Sequence, residues 1–201
     1  MTDTIICVAS GPSITKKQID LVRESGLFTI CVNRTFELLP NCDAIFACDI
    51  RWWYEYYELT QSHSPKSKLY TIAGIADHFY KKRSKGQNIV QLDYESGIGL
   101  GKHKLIHGGN SGYMAVNLAY LLGAKKIILI GYDHQHTNGK RHWHSDYDKK
   151  KFPYNADNID RMKDNFEGLA HDLINEGIDI VNCSIETALE TPRRSTLEKE
   201  I

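Results

Sequence analysis

No stretch of this chain approaches the roughly 18 consecutive apolar residues of a membrane-spanning helix, so no membrane partner is expected. Charge of neither sign is in excess: Lys plus Arg and Asp plus Glu number 25 each, for a formal net charge of zero. That balance gives no reason to expect nucleic acid or an anionic surface as a partner. One basic cluster, Lys81, Lys82, Arg83 and Lys85, reads as a solvated loop. A disulfide framework is also missing. Five cysteines, an odd number without regular spacing, point to a reducing compartment. Cys7, Cys31 and Cys48 lie inside apolar runs, where a free thiol packs as a small hydrophobe. The opening residues MTDTIICVAS hold neither a basic segment nor a long apolar one, so no secretory leader is expected and the expected location is the cytoplasm. Two common nucleotide fingerprints, G-x-G-x-x-G and G-x-x-x-x-G-K-[ST], do not occur, which argues against a Rossmann dehydrogenase and a P-loop enzyme.

What is present is an alternation of short β-branched runs with helical patterns, the signature of βαβ units and a parallel sheet. TIICVAS (4–10), LFTICVN (27–33) and CDAIFACD (42–49) read as strands, ending in the polar residues Ser10, Asn33 and Asp49. A helix over Lys16 to Ser25 follows the turn Gly11-Pro12-Ser13. RWWYEYYELTQ (51–61) reads as an aromatic helix whose rings, from Trp52 to Tyr57, belong to the core or to a homo-oligomer contact. Two further short strands are expected over 68–74 and 88–93, then a glycine-rich loop over 95–109 and a helix from Asn110 to Leu122. KKIILIGYD (125–133) is a buried strand, and 157–178 carries Ile159, Met162, Phe166, Leu169 and Leu173 at helical spacing. IDIVNCS (178–184) closes the sheet, and the polar residues 191–201 read as a frayed tail. The expected fold is α/β: one Rossmann-like domain over 1–190, a three-layer sandwich around a mostly parallel sheet.

The polar strand ends bear on function, because in an open α/β sheet ligands gather where strands end and helices begin. Asn110 and Ser111 stand at a helix start, where free backbone N–H groups and the dipole favour an anion. Gly131, Tyr132 and Asp133 end the next strand, and Ser10 and Gly11 end the first. Together they read as a nucleotide site. Beyond Asp133, GYDHQHTNGKRHWHSDYD holds two H-x-H pairs, His134 with His136 and His142 with His144. Histidine serves as acid, base or metal ligand near neutral pH. No cysteine is nearby and the spacing is not H-E-x-x-H, so a lid that carries a catalytic histidine is the preferred reading over a metal site. The turn T-N-G-K (137–140) would fold His142 or His144 back toward Asp133.

The order G-P-S after the first strand, Asn33 after the second, N-S-G-Y-M-A at the helix start and G-Y-D after the next strand resembles two related groups. One is the bacterial sialyltransferases of glycosyltransferase family 42, which use a CMP-activated sugar. The other is the archaeal 6-hydroxymethylpterin diphosphokinase-like family, which uses a nucleoside triphosphate with magnesium. The histidine stretch and the ending VNCSIETALETP also resemble small proteins encoded by phages and prophages. The sialyltransferase resemblance implies that Ser10 and Gly11 touch the donor phosphate or ribose, and that Asn33 and Asp49 face the nucleotide. It also implies that Asn110 and Ser111 hold phosphate oxygens, that Gly131, Tyr132 and Asp133 bind base and ribose, and that His144, or failing it His142, is the general base. Asp49 and Ser10 stand where that family carries amides. A carboxylate beside a phosphate calls for a cation, which points to Mg2+ accompanying the nucleotide as the alternative. Three functions stay open: a nucleotide-sugar-dependent glycosyltransferase with an unknown acceptor, magnesium-dependent phosphate transfer through Asp49 and Asp133, and a nucleotide-binding accessory protein without turnover.

Overall fold

The computed structural model describes residues 3–81, 88–144 and 158–201. Most of the basic cluster and the end of the histidine stretch, from Ser145 on, lie outside them. The chain begins with β1 (Thr4–Val8), α1 (Lys16–Ser25), β2 (Phe28–Val32), a 3-10 turn (Asn33–Glu37), β3 (Ala44–Phe46) and α2 (Ile50–His63). β4 (Lys68–Ile72), α3 (Ile75–Lys81) and β5 (Ile89–Leu92) complete one half. Two-residue strands β6 (Tyr94–Glu95) and β7 (Leu105–Ile106) lead to α4 (Ser111–Leu121), β8 (Lys126–Ile130), α5 (Ile159–Asn175), β9 (Asp179–Asn182), β10 (Arg193–Arg194) and α6 (Leu197–Glu200).

The eight-stranded sheet runs β10-β9-β8-β1-β2-β3-β4-β5, and every pairing in it is parallel. A parallel sheet is buried on both faces, which explains why its central strands TIICV, FTICV and KIILI are apolar throughout. Alternate residues feed two cores. Ile5 and Cys7 join Met114, Leu118, Phe166 and Leu169 of α4 and α5 on one face. Ile6 and Val8 join Ile19, Val22, Trp53, Phe79 and Leu197 of α1, α2, α3 and α6 on the other. The result is an α/β three-layer sandwich. Trp52, Trp53 and Tyr57 are core rings. Among the described residues no helix is long and apolar enough to cross a membrane.

Local chemistry fixes the helix ends. Thr15 and Gln18 form a reciprocal capping box at α1, and Gly26 closes it in the left-handed region at φ 65°. α4 is apolar nearly all round because it is packed on both sides. Its one buried amide, Asn117, accepts from Gly101 N (3.1 Å) and Ile106 N (3.0 Å) and donates to Gly101 O (2.8 Å). Together with Tyr113 Oη at Gly99 N and O (2.7 Å each) and Asp172 at Leu100 N (2.9 Å), it ties the glycine-rich 96–106 segment, which has little regular structure, to the sandwich.

Two expectations change at the carboxyl end. β9 does not close the sheet, since β10 pairs beyond it, Arg193 with Val181 and Arg194 with Asn182. The tail expected to fray is folded. Arg193 forms bidentate pairs with Asp179 (2.7 and 2.7 Å) and Glu200 (2.7 and 2.9 Å), and Leu197 is only 1% exposed against the α1 side of the core. A polar composition hid one apolar anchor and an ion-pair clamp. Truncating that anchor, Leu197→Ala, should cost about 2–4 kcal/mol in urea unfolding. A loss below about 0.5 kcal/mol would mean that the tail is loose after all.

Candidate functional site

The strand order reverses direction between β1 and β8, and there the loops leaving their carboxyl ends part and open a crevice. Pairing runs slightly past the strands, with Ala9 N donating to Ile130 O (2.9 Å) and Gly11 N to Gly131 O (2.8 Å). The chains are so close that a side chain at Gly11 would meet Asp133 Oδ1 at 2.1 Å. Gly131, at φ 68°, is likewise closed in by Ile14 and Ala9 O. Asp133, 2% exposed, explains the closeness. Its carboxylate accepts from Ser13 N (2.9 Å), Ser13 Oγ (2.8 Å) and Thr137 Oγ1 (3.2 Å), while its carbonyl accepts from Ala188 N (2.8 Å). Burial nevertheless holds its carboxyl above the usual range, ahead of these hydrogen bonds, which act the other way.

Across the crevice, Asn110 caps α4 by accepting from Tyr113 N (2.9 Å). Ser111 Oγ accepts from Cys48 N (3.2 Å) and lies 3.1 Å from Cys48 Sγ, joining the β3 exit to the α4 start. Burial pushes the Cys48 thiol up to about 11, so it is no thiolate nucleophile at neutral pH. Asp49 caps α2 through Arg51 N (2.7 Å), and Asn33 opens the 3-10 turn at φ 53°. Tyr132 is buried, its hydroxyl donating to Gly112 O (3.1 Å), so it supports the start of α4 from below.

These elements enclose a cavity of about 660 Å³, within the size range of sites for drug-sized ligands. The structure brings Ser10, Gly11, Asn33, Asp49, Asn110, Ser111, Gly131, Tyr132 and Asp133 all into its wall, together with His142. His144 is not in the wall. The T-N-G-K reversal forms as expected, with Thr137 and Lys140 bridged (3.1 and 3.0 Å) and left-handed φ at Asn138 and Gly139. Trp143 N then donates to Ser10 O (3.0 Å), which pins the segment to the β1 exit. His142 faces the cavity and lies over His144 at 5.0 Å with the rings 13° apart. His144, 9% exposed, is set behind it with Nδ1 3.4 Å from the Arg34 guanidinium, which Glu37 holds at 2.6 and 3.1 Å.

Sequence reasoning missed His107, Arg141 and Arg161 in the wall. His107 belongs to a loop with no strand or helix pattern to place it, and Arg161 sits in the first turn of α5, a position that drew no reading. His134, noted only as half of an H-x-H pair, is at φ 48° with its ring 5.0 Å from that of Phe166. Burial depresses it to about 4, so it is a neutral imidazole at physiological pH.

Of the two carboxylates expected to hold magnesium, Asp49 caps α2 and Asp133 is committed within the wall. Both Asp133 oxygens are already taken up by hydroxyl and amide donors. Among the described residues no cluster of three or more His, Cys, Asp or Glu side chains forms that could hold a metal.

No family model matches the chain, and no curated protein matches it. Among solved structures it is similar to the sialyltransferase CstII from Campylobacter jejuni, solved with the substrate analogue CMP-3FNeuAc, at 14% identity and a TM-score of 0.48. The match covers 95% of this chain and 88% of that one. A likeness of this depth assigns no chemistry; the residues must do so.

Two stability measurements test the site. Asp133→Asn places an amide against the Ser13 N–H and should cost about 2–3 kcal/mol, whereas Thr137→Val should cost about 1 kcal/mol or less. Equal small losses would mean that Asp133 holds nothing in place. For His134, the folded value lies below the ordinary one, so the unfolded chain takes up its proton first and stability falls as pH drops from about 6.5 toward 4. His134→Asn, which tolerates the left-handed backbone, should remove about 1–2 kcal/mol of that acid-side loss, less than the full shift implies because the ring borders the open cavity. Parallel pH profiles for the two proteins would contradict it.

Proposed function

We propose that this protein is a nucleotide-sugar-dependent glycosyltransferase, sialyltransferase-like in its chemistry, with His142 as the general base. The observation that carries the reading is convergence. Nine residues chosen from five separate loops for their place at strand and helix ends line one cavity at the topological switch point. The Ser111 and Gly112 amides at the start of α4 take no acceptor among the described residues, and such donors suit the phosphate charge that a leaving nucleotide develops.

In the proposed reaction the acceptor hydroxyl oxygen attacks the anomeric carbon of the donor sugar. The bond from that carbon to the phosphate oxygen breaks, its electron pair stays on the nucleotide, and the hydroxyl proton passes to His142. Histidine suits this because its ordinary pKa is close to the working pH. His142 is preferred over His144 because it is the one in the cavity wall; His144, stacked behind it, orients the ring. No step of this reaction requires a metal.

The test is a thermal-shift panel of CMP, UDP, GDP, ATP and GTP, each with EDTA and with magnesium, followed by turnover with the matching activated sugars. A nucleoside phosphate at about 100 times its Kd should stabilise by about 2.7 kcal/mol, moving Tm by several degrees, and should do so in EDTA. His142→Ala should keep that shift and lose about 100-fold or more in transfer rate. Stabilisation only by ATP or GTP with magnesium, or full turnover in His142→Ala, would overturn the reading.

A further inference from the structure

The cavity wall is unevenly charged. Two arginines line it, Arg141 from the segment that carries His142 and Arg161 from the first turn of α5. Neither has a hydrogen-bond or ion-pair partner among the described residues. Three other arginines are paired, Arg23 to Asp20, Arg34 to Glu37, and Arg193 to Asp179 and Glu200, while the exposed Arg51 side chain has no partner among the described residues either. The cavity's own carboxylates do not answer the free pair, since Asp133 is occupied by Ser13 and Thr137 and Asp49 accepts from Arg51 N as the cap of α2.

A guanidinium presents five N–H donors in a fixed fork that matches phosphate oxygens; Arg141 is half-buried and Arg161 exposed. The amides at the start of α4 are a different kind of donor on a different element. The cavity therefore holds two sets of anion-binding groups, and one nucleotide phosphate occupies only one of them. Arg141 is the chain neighbour of His142, the residue that takes the acceptor's proton, so what Arg141 grips belongs beside the acceptor hydroxyl. We infer that Arg141 and Arg161 form a second anion site in this cavity that binds a phosphate monoester carried by the acceptor. A phosphate monoester brings about two charges and three free oxygens, enough for two guanidiniums, where a carboxylate would suit one. Assignment to the acceptor rests on the transferase reading; the anion site itself does not.

Inorganic phosphate is the probe, titrated at low ionic strength into the full chain, alone and saturated with CMP, and followed by 31P NMR. Phosphate is expected to bind the CMP-loaded protein, to weaken by about tenfold or more in Arg141→Gln and in Arg161→Gln, and to be lost in the double variant. CMP affinity should stay within about twofold in all three. Acetate at equal concentration should bind more weakly; equal binding would overturn the phosphate assignment. Phosphate retained by the double variant, or expelled by CMP, would overturn the second site. A nucleotide sugar that expels phosphate from the wild type would give the arginines to the donor and overturn the acceptor assignment. If CMP fails to bind while phosphate still requires both arginines, the anion site stands and the nucleotide reading falls.

Discussion

The geometry of the crevice depends on one buried carboxylate. Asp133 joins the β1–α1 loop through Ser13, the T-N-G-K reversal through Thr137, and the segment before β10 through the Ala188 amide. A buried carboxyl is tolerated only when hydrogen-bonded, so the Ser13 and Thr137 segments have little freedom to drift apart without a desolvation cost, while the Ala188 segment is held through the Asp133 backbone carbonyl. Gly11 and Gly131 follow from this closeness rather than from loop flexibility. The same commitment gives Asp133 a structural part in the cavity wall.

Around that fixed point the wall is assembled from short, separately anchored pieces. Asn110 and the Cys48–Ser111 contact fix the α4 start, Trp143 N to Ser10 O fixes the His142 segment, and Asn117 holds the glycine-rich segment at the other end of α4. Each anchor is a side chain or amide bonding across a loop, not a strand pairing. The placement of side chains in such a site comes from these small ties, because the sheet positions only the strand ends.

Most of the sandwich was legible in the sequence because a doubly covered parallel sheet leaves a strong trace: apolar runs of five with polar ends, separated by amphipathic or apolar helices. The polar strand ends pointed to the cavity for the same reason, since topology alone brings them together. Two kinds of feature were not legible. Tertiary capture of a polar segment, as at Leu197 and Arg193, turns on partners such as Asp179 that lie distant in the chain. The direction in which loop side chains point was hidden as well. His142 and His144 are indistinguishable by composition, and tertiary ties such as Trp143 N to Ser10 O and Arg34 to His144 accompany the placement of His142 in the cavity wall. Arg161 drew no reading at all, because a position in a helix's first turn gives no sign of lining a crevice.

The two-residue edge strand β10 has a consequence of another kind. An exposed sheet edge is a template on which a second extended chain can grow, and it is the usual starting point for open-ended aggregation. Here that edge is Arg193-Arg194, too short to recruit a partner. Arg193 is held by Asp179 and Glu200, and Arg194 donates to Ser184 O (2.7 Å). The opposite edge is β5, four residues long with Val90 exposed. One sheet thus ends in two unlike margins, a charged stop on one side and a more adhesive strand on the other, and self-association under stress would begin from β5.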